Sequence, residues 1–461
     1  MANIADFGEL SAGETALLTG LASGDTIVLD PDTGNEVRAA LLRQVLLNDL
    51  DDLSEAVAGA RVHEKGVRLA GARITGRLDL EGCRAPRDIA LIDCDFEAAP
   101  VLRSAVIDNL FLMMSRIPGV EADRLELRGG LFLRDAVTSG PMIFLGATVG
   151  GNVDCSGAHL SGGDGKVALS LEGARIGGIL FLRHGRIDGE LHLEDAEVSS
   201  LCDAPDTWPA SGNLFLNRFR YGSLTGAGLS SKERIAWLDR QDTGKDGADF
   251  WPQPWESCAR VLRDMGYRDE ARRVLIAKEK RHRAARRRRL VREGRIPGAA
   301  FAALGDTILA VTVRYGRVPL LAVVWLLAMW GAGTVIFSET YARDAFKPNN
   351  AFVLRSPEWA GCAPGVSLAG GAALNTGESQ LACYLDQPSA ASYPIFHAGM
   401  YALDTLLPIV ALEMQGYWIP DESAPSPWGR FGRAYLWLHI VLGWAFSVLA
   451  VAGYSGLIKS D

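Results

Sequence analysis

The sequence predicts a mainly β protein: a right-handed β-helix with an N-terminal helical cap, followed by an α-helical hairpin and a two-span transmembrane region. Three observations support this prediction. A Leu-x-Leu-x-x-Ala motif recurs at 11-residue intervals, a dense block of bases follows it, and two uncharged apolar segments lie near the carboxyl end. We expect four parts, comprising residues 1–65, 66–228, 229–300 and 301–461.

The first part is an acidic cap. Residues 1–60 hold eleven acids and two bases, an asymmetry that the overall net charge of −8 conceals. Residues 37–53 (VRAALLRQVLLNDLDDL) have apolar side chains at helical spacing, so we expect a helix that covers the open end of the solenoid. The opening MANIADFGELSAGETALL has no basic region before an apolar core, so no signal peptide is expected.

The second part is the repeat. Clear copies are LDLEGC ending at Cys83, LFLRDA at Ala136 and LHLEDA at Ala196. In each copy, Leu-x-Leu places two apolar side chains on one face of a short strand; the small residue lies at a tight inward turn, and a following glycine permits the corner. One unit buries nothing alone, so units must stack, two to a four-sided turn of about 22 residues, giving about six turns. A β-sandwich is the alternative, but its strands would not keep an 11-residue interval.

The third part is helical. Ser230 and Glu233 form a capping-box pattern, and Gly266 ends the first helix of a hairpin whose apolar positions are Ala259, Leu262, Ala271 and Leu275. We expect this hairpin to pack on the last solenoid turn; recruitment of a partner is the alternative. The block that follows is expected to contact anionic lipid headgroups through Arg281, Arg283, Arg286, Arg287, Arg288, Arg289 and Arg292. Nucleic acid binding is not expected, because no aromatic-interleaved basic sheet or reading helix accompanies the bases.

The fourth part contains predicted spans at about 319–338 and 434–458. Because loops rich in Lys and Arg stay inside, the basic block predicts a multi-pass protein of the bacterial cytoplasmic membrane with its N-terminus and solenoid in the cytoplasm. Residues 339–433 would then form an external loop. Cys362 and Cys383 are the two cysteines of that loop, and we expect them to pair in an oxidising compartment.

Within the loop, residues 393–420 are apolar yet contain His397, Asp404, Pro408 and Glu413. A straight spanning helix would bury those ionisable groups at high cost, so we expect a re-entrant or interfacial segment broken at Pro408. His397, Asp404 and Glu413 are the candidate functional residues of the membrane region. Span, re-entrant segment and span also outline a two-helix pore subunit, although no carbonyl filter motif is present.

Three segments carry a resemblance to a known family: GVRLAGARITGRLDLEG at 66–82, WPQPWESCARVLRDMGYRDEARRVLIAKEKRHR at 251–283 and YALDTLLPIVALEMQGYW at 401–418. They resemble a bacterial family of membrane-associated β-helix proteins, described as pentapeptide-repeat-like or bactofilin-like. The resemblance implies the same order of cap, β-helix, basic helices and membrane region. Members are often labelled "membrane-associated oxidoreductase" without an established reaction. DNA mimicry is not expected, because residues 61–228 hold 22 acids against 18 bases.

Catalytic motifs are missing from the sequence. It contains no P-loop, G-x-S-x-G or H-E-x-x-H, and its glycine pairs fall at solenoid corners, so we predict no catalytic residue, cofactor or metal site. His184 and His192 are expected to face solvent, and Cys83 and Cys94 to be buried packing residues. The predicted function is a membrane-anchored scaffold or sensor for a protein partner, with homo-oligomerisation possible. The alternatives are a channel-like module gated by the solenoid and, from the family label alone, an oxidoreductase.

Overall fold

A computed structural model describes residues 4–48, 61–226, 228–241, 250–312, 314–315, 318, 320–366, 375 and 377–454. The chain divides into two compact units, Met1–Gly294 and Arg295–Asp461. The end of the helix predicted at 37–53 and the ends of both predicted spans, at 319 and at 455–458, lie outside the described residues.

The first unit is a β-solenoid whose turns have four sides, and all its strand pairs are parallel. The first side contains strands Ile27–Val28, Val67–Ala70, Ile89–Ile92, Leu110–Phe111, Leu131–Phe132 and Val153–Asp154. The second contains Glu36–Arg38, Arg73–Thr75, Asp95–Phe96, Arg116–Ile117, Val137–Thr138, His159–Ser161 and Arg186–Asp188. The third contains Val120–Glu121, Met142–Ile143, Val167–Ser170, Glu190–His192 and Leu214–Phe215.

The fourth side begins with Arg84–Ala85, Val106–Ile107, Glu126–Leu127 and Thr148–Val149. It continues as three longer strands, Arg175–Leu182, Glu197–Asp203 and Arg220–Thr225, which pass round a corner and also extend the first side. The second side has seven strands, so the solenoid has about seven turns, one more than the repeat count predicted. The additional strand, Glu36–Arg38, comes from the N-terminal segment, where the sequence does not carry the repeat motif.

The repeat leucines and small residues form the solenoid core, as the alternation predicts. Leu69, Leu131 and Leu191 are at most 2% exposed, and Ala136 is fully buried. The chain turns at two places in a repeat. Following glycines such as Gly76 and Gly189 have positive φ, +77° and +145°, as the expected glycine corner requires. The residue immediately before the small residue also has positive φ, +55° at Asp135 for example, so it makes a further corner. A residue in this left-handed conformation bends the chain sharply.

The N-terminal segment covers the first turn with helices α1 (Ala12–Gly20) and α2 (Ala39–Leu47). A capping box starts α1, in which the Ser11 hydroxyl accepts from the Glu14 N–H and the Glu14 carboxylate accepts from the Ser11 N–H. A short 3-10 turn at Ile4–Phe7 precedes it. The segment is therefore mixed, because its two strands continue the solenoid while its helices contribute buried leucines, such as Leu17 and Leu42, to the solenoid core.

Three helices follow the solenoid within the first unit: α3 (Ser231–Leu238), α4 (Pro252–Asp264) and α5 (Arg268–Arg292). Helices α4 and α5 form the predicted hairpin, with Gly266 at φ +92° between them. Helix α4 packs on the last solenoid strand, where the Leu224 N–H donates to the Met265 sulfur at 3.4 Å.

The second unit is helical. Its helices are α6 (Ile296–Thr312), α7 (Leu320–Ala342), α8 (Ala351–Leu354), α9 (Pro357–Gly361), α10 (Gln380–Leu385), α11 (Ala398–Leu406), α12 (Met414–Tyr417) and α13 (Trp428–Tyr454). Strands Phe346–Pro348 and Trp418–Pro420 pair antiparallel. Helices α7 and α13 are long and apolar enough to cross a membrane, and little of either is buried inside the unit.

Candidate functional site

Helices α7 and α13 pack antiparallel along their length. Contacts join Thr340 with Gly432 near one end, and the Trp325 and Phe446 rings, 6.2 Å between centroids, near the other. Gly432 permits the close approach, because a Cβ there would lie 3.0 Å from the Thr340 methyl carbon. The two apolar helices therefore form one hairpin in which small residues let the backbones come together.

Helix α11 crosses this hairpin near the middle of α7. The Trp330 indole donates to the Gly399 carbonyl at 2.9 Å, which holds the first turn of α11 on α7. At the other end of α11, the Leu406 carbonyl lies against Gly443 of α13, where a Cβ would be only 2.1 Å from that oxygen. The segment therefore lies at the height of the apolar stretches of both long helices, where the sequence places a re-entrant or interfacial segment.

A buried aromatic and histidine cluster forms the contact among these three helices. His439 of α13 is fully buried, and its Nε2 lies 3.0 Å from the Ala402 carbonyl of α11. Since a carbonyl only accepts, Nε2 carries the proton of that bond. The Phe337 ring lies 5.6 Å from the imidazole and 4.8 Å from the ring of Tyr401. Within the described residues, His439 Nδ1 and the Tyr401 hydroxyl have no hydrogen-bond partner.

The three residues predicted from the sequence do not form one site. Asp404 folds the chain back, because its carboxylate accepts from the N–H groups of Leu412 at 2.6 Å and Gln415 at 2.7 Å. His397 is exposed and occupies the position before α11 without a side-chain hydrogen bond to the helix, while Glu413 is exposed in a left-handed conformation with φ +60°. Among the described residues, no hydrogen bond or ion pair joins the three side chains. Asp404 therefore stabilises the turn that follows α11.

The sequence analysis did not select His439, although a signal was present. An ionisable side chain within an apolar span is a functional-site candidate, because burial in lipid is costly without a partner. The prediction of the span rests on the lack of formal charge, and histidine is formally neutral, so this criterion does not select His439.

Cys362 and Cys383 are joined by a disulfide, with their Cα atoms 5.7 Å apart.

The basic block lies on α5, and its arginines differ in their surroundings. The Arg281 guanidinium forms a bidentate ion pair with Asp239 and lies 5.2 Å from the Trp255 ring centroid, so it fastens α5 to the rest of the first unit. Arg283 is half-buried, 3.7 Å from the carboxylate of Glu279. Arg287 is also half-buried, whereas the exposed members are Arg286, Arg288, Arg289 and Arg292. The set of exposed arginines on α5 is therefore smaller than the block in the sequence.

A groove of about 630 Å³ lies on the fourth side of the solenoid. Arg175, Glu197 and Arg220 stack in register on three successive turns along one edge. The row beside them, here called the floor, consists of the small residues Gly177, Ser199 and Gly222, and Ile176, Val198 and Tyr221 complete the lining. No ion pair joins the three charged side chains to one another within the described part of the chain. The groove therefore presents two guanidinium groups and one carboxylate beside a row of small residues.

His192 is less solvated than the alternation predicted. Its side chain is 16% exposed, its ring stacks on Phe215 with centroids 4.3 Å apart, and its Nε2 lies 3.0 Å from a Glu190 oxygen. One imidazole nitrogen of His192 and one carboxylate oxygen each of Glu172 and Glu194 lie within 4.8 Å of one another. Nitrogen and oxygen atoms of these types are common ligands of divalent cations. His184, in contrast, is 74% exposed.

The cysteines of the first unit also separate. Cys94 is buried, and burial raises the pKa of its thiol to about 12, as expected of a packing residue. Cys83 is only half-buried, and its sulfur lies 3.6 Å from an Arg43 nitrogen. Helix α2 covers this corner of the solenoid incompletely, so the expectation that Cys83 is buried is wrong.

No family model, no curated protein and no solved structure matches the chain.

Proposed function

We propose that this protein is a membrane-anchored scaffold or sensor that displays a right-handed β-solenoid, capped by α1 and α2, to a protein partner. The observation that carries the proposal is the combination of a solenoid with an open charged groove and two largely unburied apolar helices in one chain. A helix of 23 residues, the length of α7, measures about 35 Å at 1.5 Å per residue, and the hydrocarbon core is about 30 Å thick. Apolar surface of this extent is typical of contact with lipid.

The positive-inside rule supports a bacterial cytoplasmic membrane location with the solenoid in the cytoplasm. The bases at 272–295 precede α7, and the disulfide-bonded residues Cys362 and Cys383 lie between the two proposed spans. A disulfide is typical of an oxidising compartment, so both features support an external position for the loop between the spans. We also propose, from the resemblance of its repeat and helical segments, that the chain belongs to the bacterial family of membrane-associated β-helix proteins.

The membrane unit supports anchoring over conduction. The channel alternative centres on Asp404, but both of its carboxylate oxygens accept hydrogen bonds from backbone N–H groups of its own turn. Helix α11 is packed against both long helices through Gly399 and Leu406. A segment fixed in this way is a packed part of the helical hairpin, whereas a conduction path needs polar groups that face a water-filled space.

The groove on the fourth side of the solenoid fits an extended acidic segment of the partner. Arg175 and Arg220 flank Glu197 at the spacing of stacked strands, about 4.8 Å per turn. Guanidinium groups recognise carboxylates with two parallel hydrogen bonds, and the glycine floor lets a backbone approach closely. A partner segment with acidic side chains on both sides of a basic one would pair with all three charges.

A photo-crosslinking experiment in cells tests the proposal. We expect p-benzoylphenylalanine at Ser199, in the groove, to crosslink a discrete partner, and the same group at Val137, exposed on the second side, to give no such band. The Arg175→Glu, Arg220→Glu variant should abolish the band, because it reverses both positive charges; Arg186→Glu on the second side is the matched control. A band unaffected by the groove variant would refute the docking surface. Protease digestion of inside-out vesicles should remove the solenoid, and its protection there would refute the orientation.

A further inference from the structure

Helix α6 (Ile296–Thr312) has an apolar stripe that the second unit leaves uncovered. Phe301 is 81% exposed, Leu304 59%, Ile308 53% and Val311 50%. Their spacing of three, four and three residues places them on one face of the helix. At 17 residues, α6 is about 26 Å long, shorter than the hydrocarbon core of about 30 Å. This stripe is not accounted for by the two proposed spans.

The position of α6 identifies what covers the stripe. The Trp325 indole of α7 donates to the Val311 carbonyl at 3.2 Å, so the last turn of α6 is fixed beside the beginning of α7. When α7 crosses a bilayer, its first turns lie at the boundary between headgroups and acyl chains. The exposed stripe of α6 then reaches the same boundary. Continuity with α7 therefore favours lipid over a soluble partner.

The charges at its ends indicate that α6 lies in the membrane plane. Arg292 and Arg295 precede the helix, and Arg314 and Arg317 follow it. A crossing helix would place one of these pairs outside, against the preference of bases for the inner side. Asp306, the charged residue within α6, would also have to enter the hydrocarbon core. An in-plane helix keeps both pairs on one surface.

We propose that α6 is a third membrane element, an apolar helix that lies in the membrane plane and whose Phe301, Leu304, Ile308 and Val311 side chains enter the inner leaflet. The inference rests on the proposed function, since it requires α7 to span the bilayer. Burial of such a stripe contributes roughly 25 cal/mol per Å² of apolar surface. The arginine pairs at its ends add attraction to anionic headgroups. The helix thus holds the segment between the basic block and the first span at the membrane surface.

Depth measurements on the full-length protein test this inference. A fluorescent non-canonical amino acid is placed singly at Phe301, Leu304, Ile308 and Val311, and the protein is reconstituted into vesicles of phosphatidylcholine and phosphatidylglycerol. Lipids with a nitroxide near the headgroup or near the chain end then quench the label. We expect all four positions to be quenched about twofold more by the shallow probe, at one common depth. Circular dichroism of each labelled protein verifies that the solenoid has folded.

Two further label positions serve as references. Leu327 on α7 is 60% exposed and should be quenched most by the deep probe, whereas Ala299 of α6 is 7% exposed and should be quenched least. A depth that changes by about 15 Å from residue 301 to residue 311 would show a crossing helix and overturn the proposal. Quenching at Leu327 but at none of the four positions would overturn it while leaving the anchoring intact.

Two remaining outcomes concern other occupants and the anchor itself. Energy transfer between labels at Leu304 on separate copies, without lipid quenching, would assign the stripe to a second copy of the chain and overturn the inference. Lack of quenching at Leu327 as well as at Leu304 would refute the proposed membrane anchoring itself.

Discussion

Arg234 and Asp203 form a buried bidentate ion pair that fastens α3 to the last turns of the solenoid. Their Nη2–Oδ1 and Nη1–Oδ2 distances are 2.7 and 3.1 Å, and the two side chains are 0% and 2% exposed. The Trp208 indole donates to the same carboxylate at 2.7 Å, and the Trp237 ring lies 5.3 Å from the guanidinium. The carboxylate thus accepts three hydrogen bonds, two of them from its cation, which is the kind of satisfaction that lets a buried ion pair be tolerated.

Arg234→Met should destabilise the solenoid by about 3–5 kcal/mol, because it leaves the Asp203 carboxylate buried without its cation. The measurement is thermal and denaturant unfolding of the full-length protein in detergent, followed by the β signal in circular dichroism. Arg218→Met is the matched control. It removes an exposed pair with Asp195, in which the side chains are 65% and 43% exposed, and should cost less than about 1 kcal/mol. Equal losses in the two variants would contradict this account.

Glu14 should make the N-terminal cap sensitive to acid. Burial is the largest influence on its pKa and raises it, but hydrogen bonds from Arg38 and from the Ser11 N–H outweigh burial, so the pKa is lowered. The folded-state pKa therefore lies below the unfolded value of about 4.3, and the ionised carboxylate stabilises the fold above that value. This contribution should disappear as the pH falls from about 5 through the lowered pKa.

Glu14→Gln should consequently cost about 1–3 kcal/mol at pH 7, and the cost should decrease as the pH falls below about 5. The difference in unfolding free energy between wild type and variant, measured from pH 3 to 7, checks the sign. Glu9→Gln, at an exposed position, is the control and should show no such difference. A wild-type advantage that grows towards low pH would refute the prediction.

Gly443→Ala should destabilise the second unit by about 1–3 kcal/mol, because the added Cβ would lie 2.1 Å from the Leu406 carbonyl and α11 would have to move. Gly331→Ala is the control, since nothing lies within 4 Å of the Cβ built there. The measurement is the temperature at which half of the detergent-solubilised protein remains monodisperse in size-exclusion chromatography. Similar temperatures for the two variants would show that α11 does not press on α13.

Met114 should tolerate glycine but not valine. It occupies a solenoid corner with φ +59° and is 49% exposed, so backbone conformation and not packing decides which residues fit. Met114→Gly should be neutral or stabilising by up to about 1 kcal/mol, whereas Met114→Val should cost about 1–2 kcal/mol. Val137→Met, in an extended strand conformation, is the control for exchanging these side chains and should change stability little. Unfolding by denaturant measures all three.

Much of the architecture was predictable because it depends on local periodicity. The 11-residue interval predicted a stacked solenoid, and the small residue of each repeat, Ala136 for example, is buried as expected. The corners at Met114 and Asp135 were missed, because these residues adopt positive φ without being glycine, and side-chain identity then gives no signal. The seventh turn was missed for a similar reason. Strand Glu36–Arg38 lacks the motif and is defined by its pairing with Arg73–Thr75.

The sequence by itself determined the repeat, the two apolar helices and the position of the basic block, since each is encoded in residue type and spacing along the chain. Only the tertiary structure decided which charges remain available. It places Arg281 against Asp239, turns the Asp404 carboxylate towards the N–H groups of Leu412 and Gln415, and surrounds His439 with aromatic rings. The reason is physical: the energy of an ionisable group depends on the partners and solvent around it, and these come from segments distant in sequence.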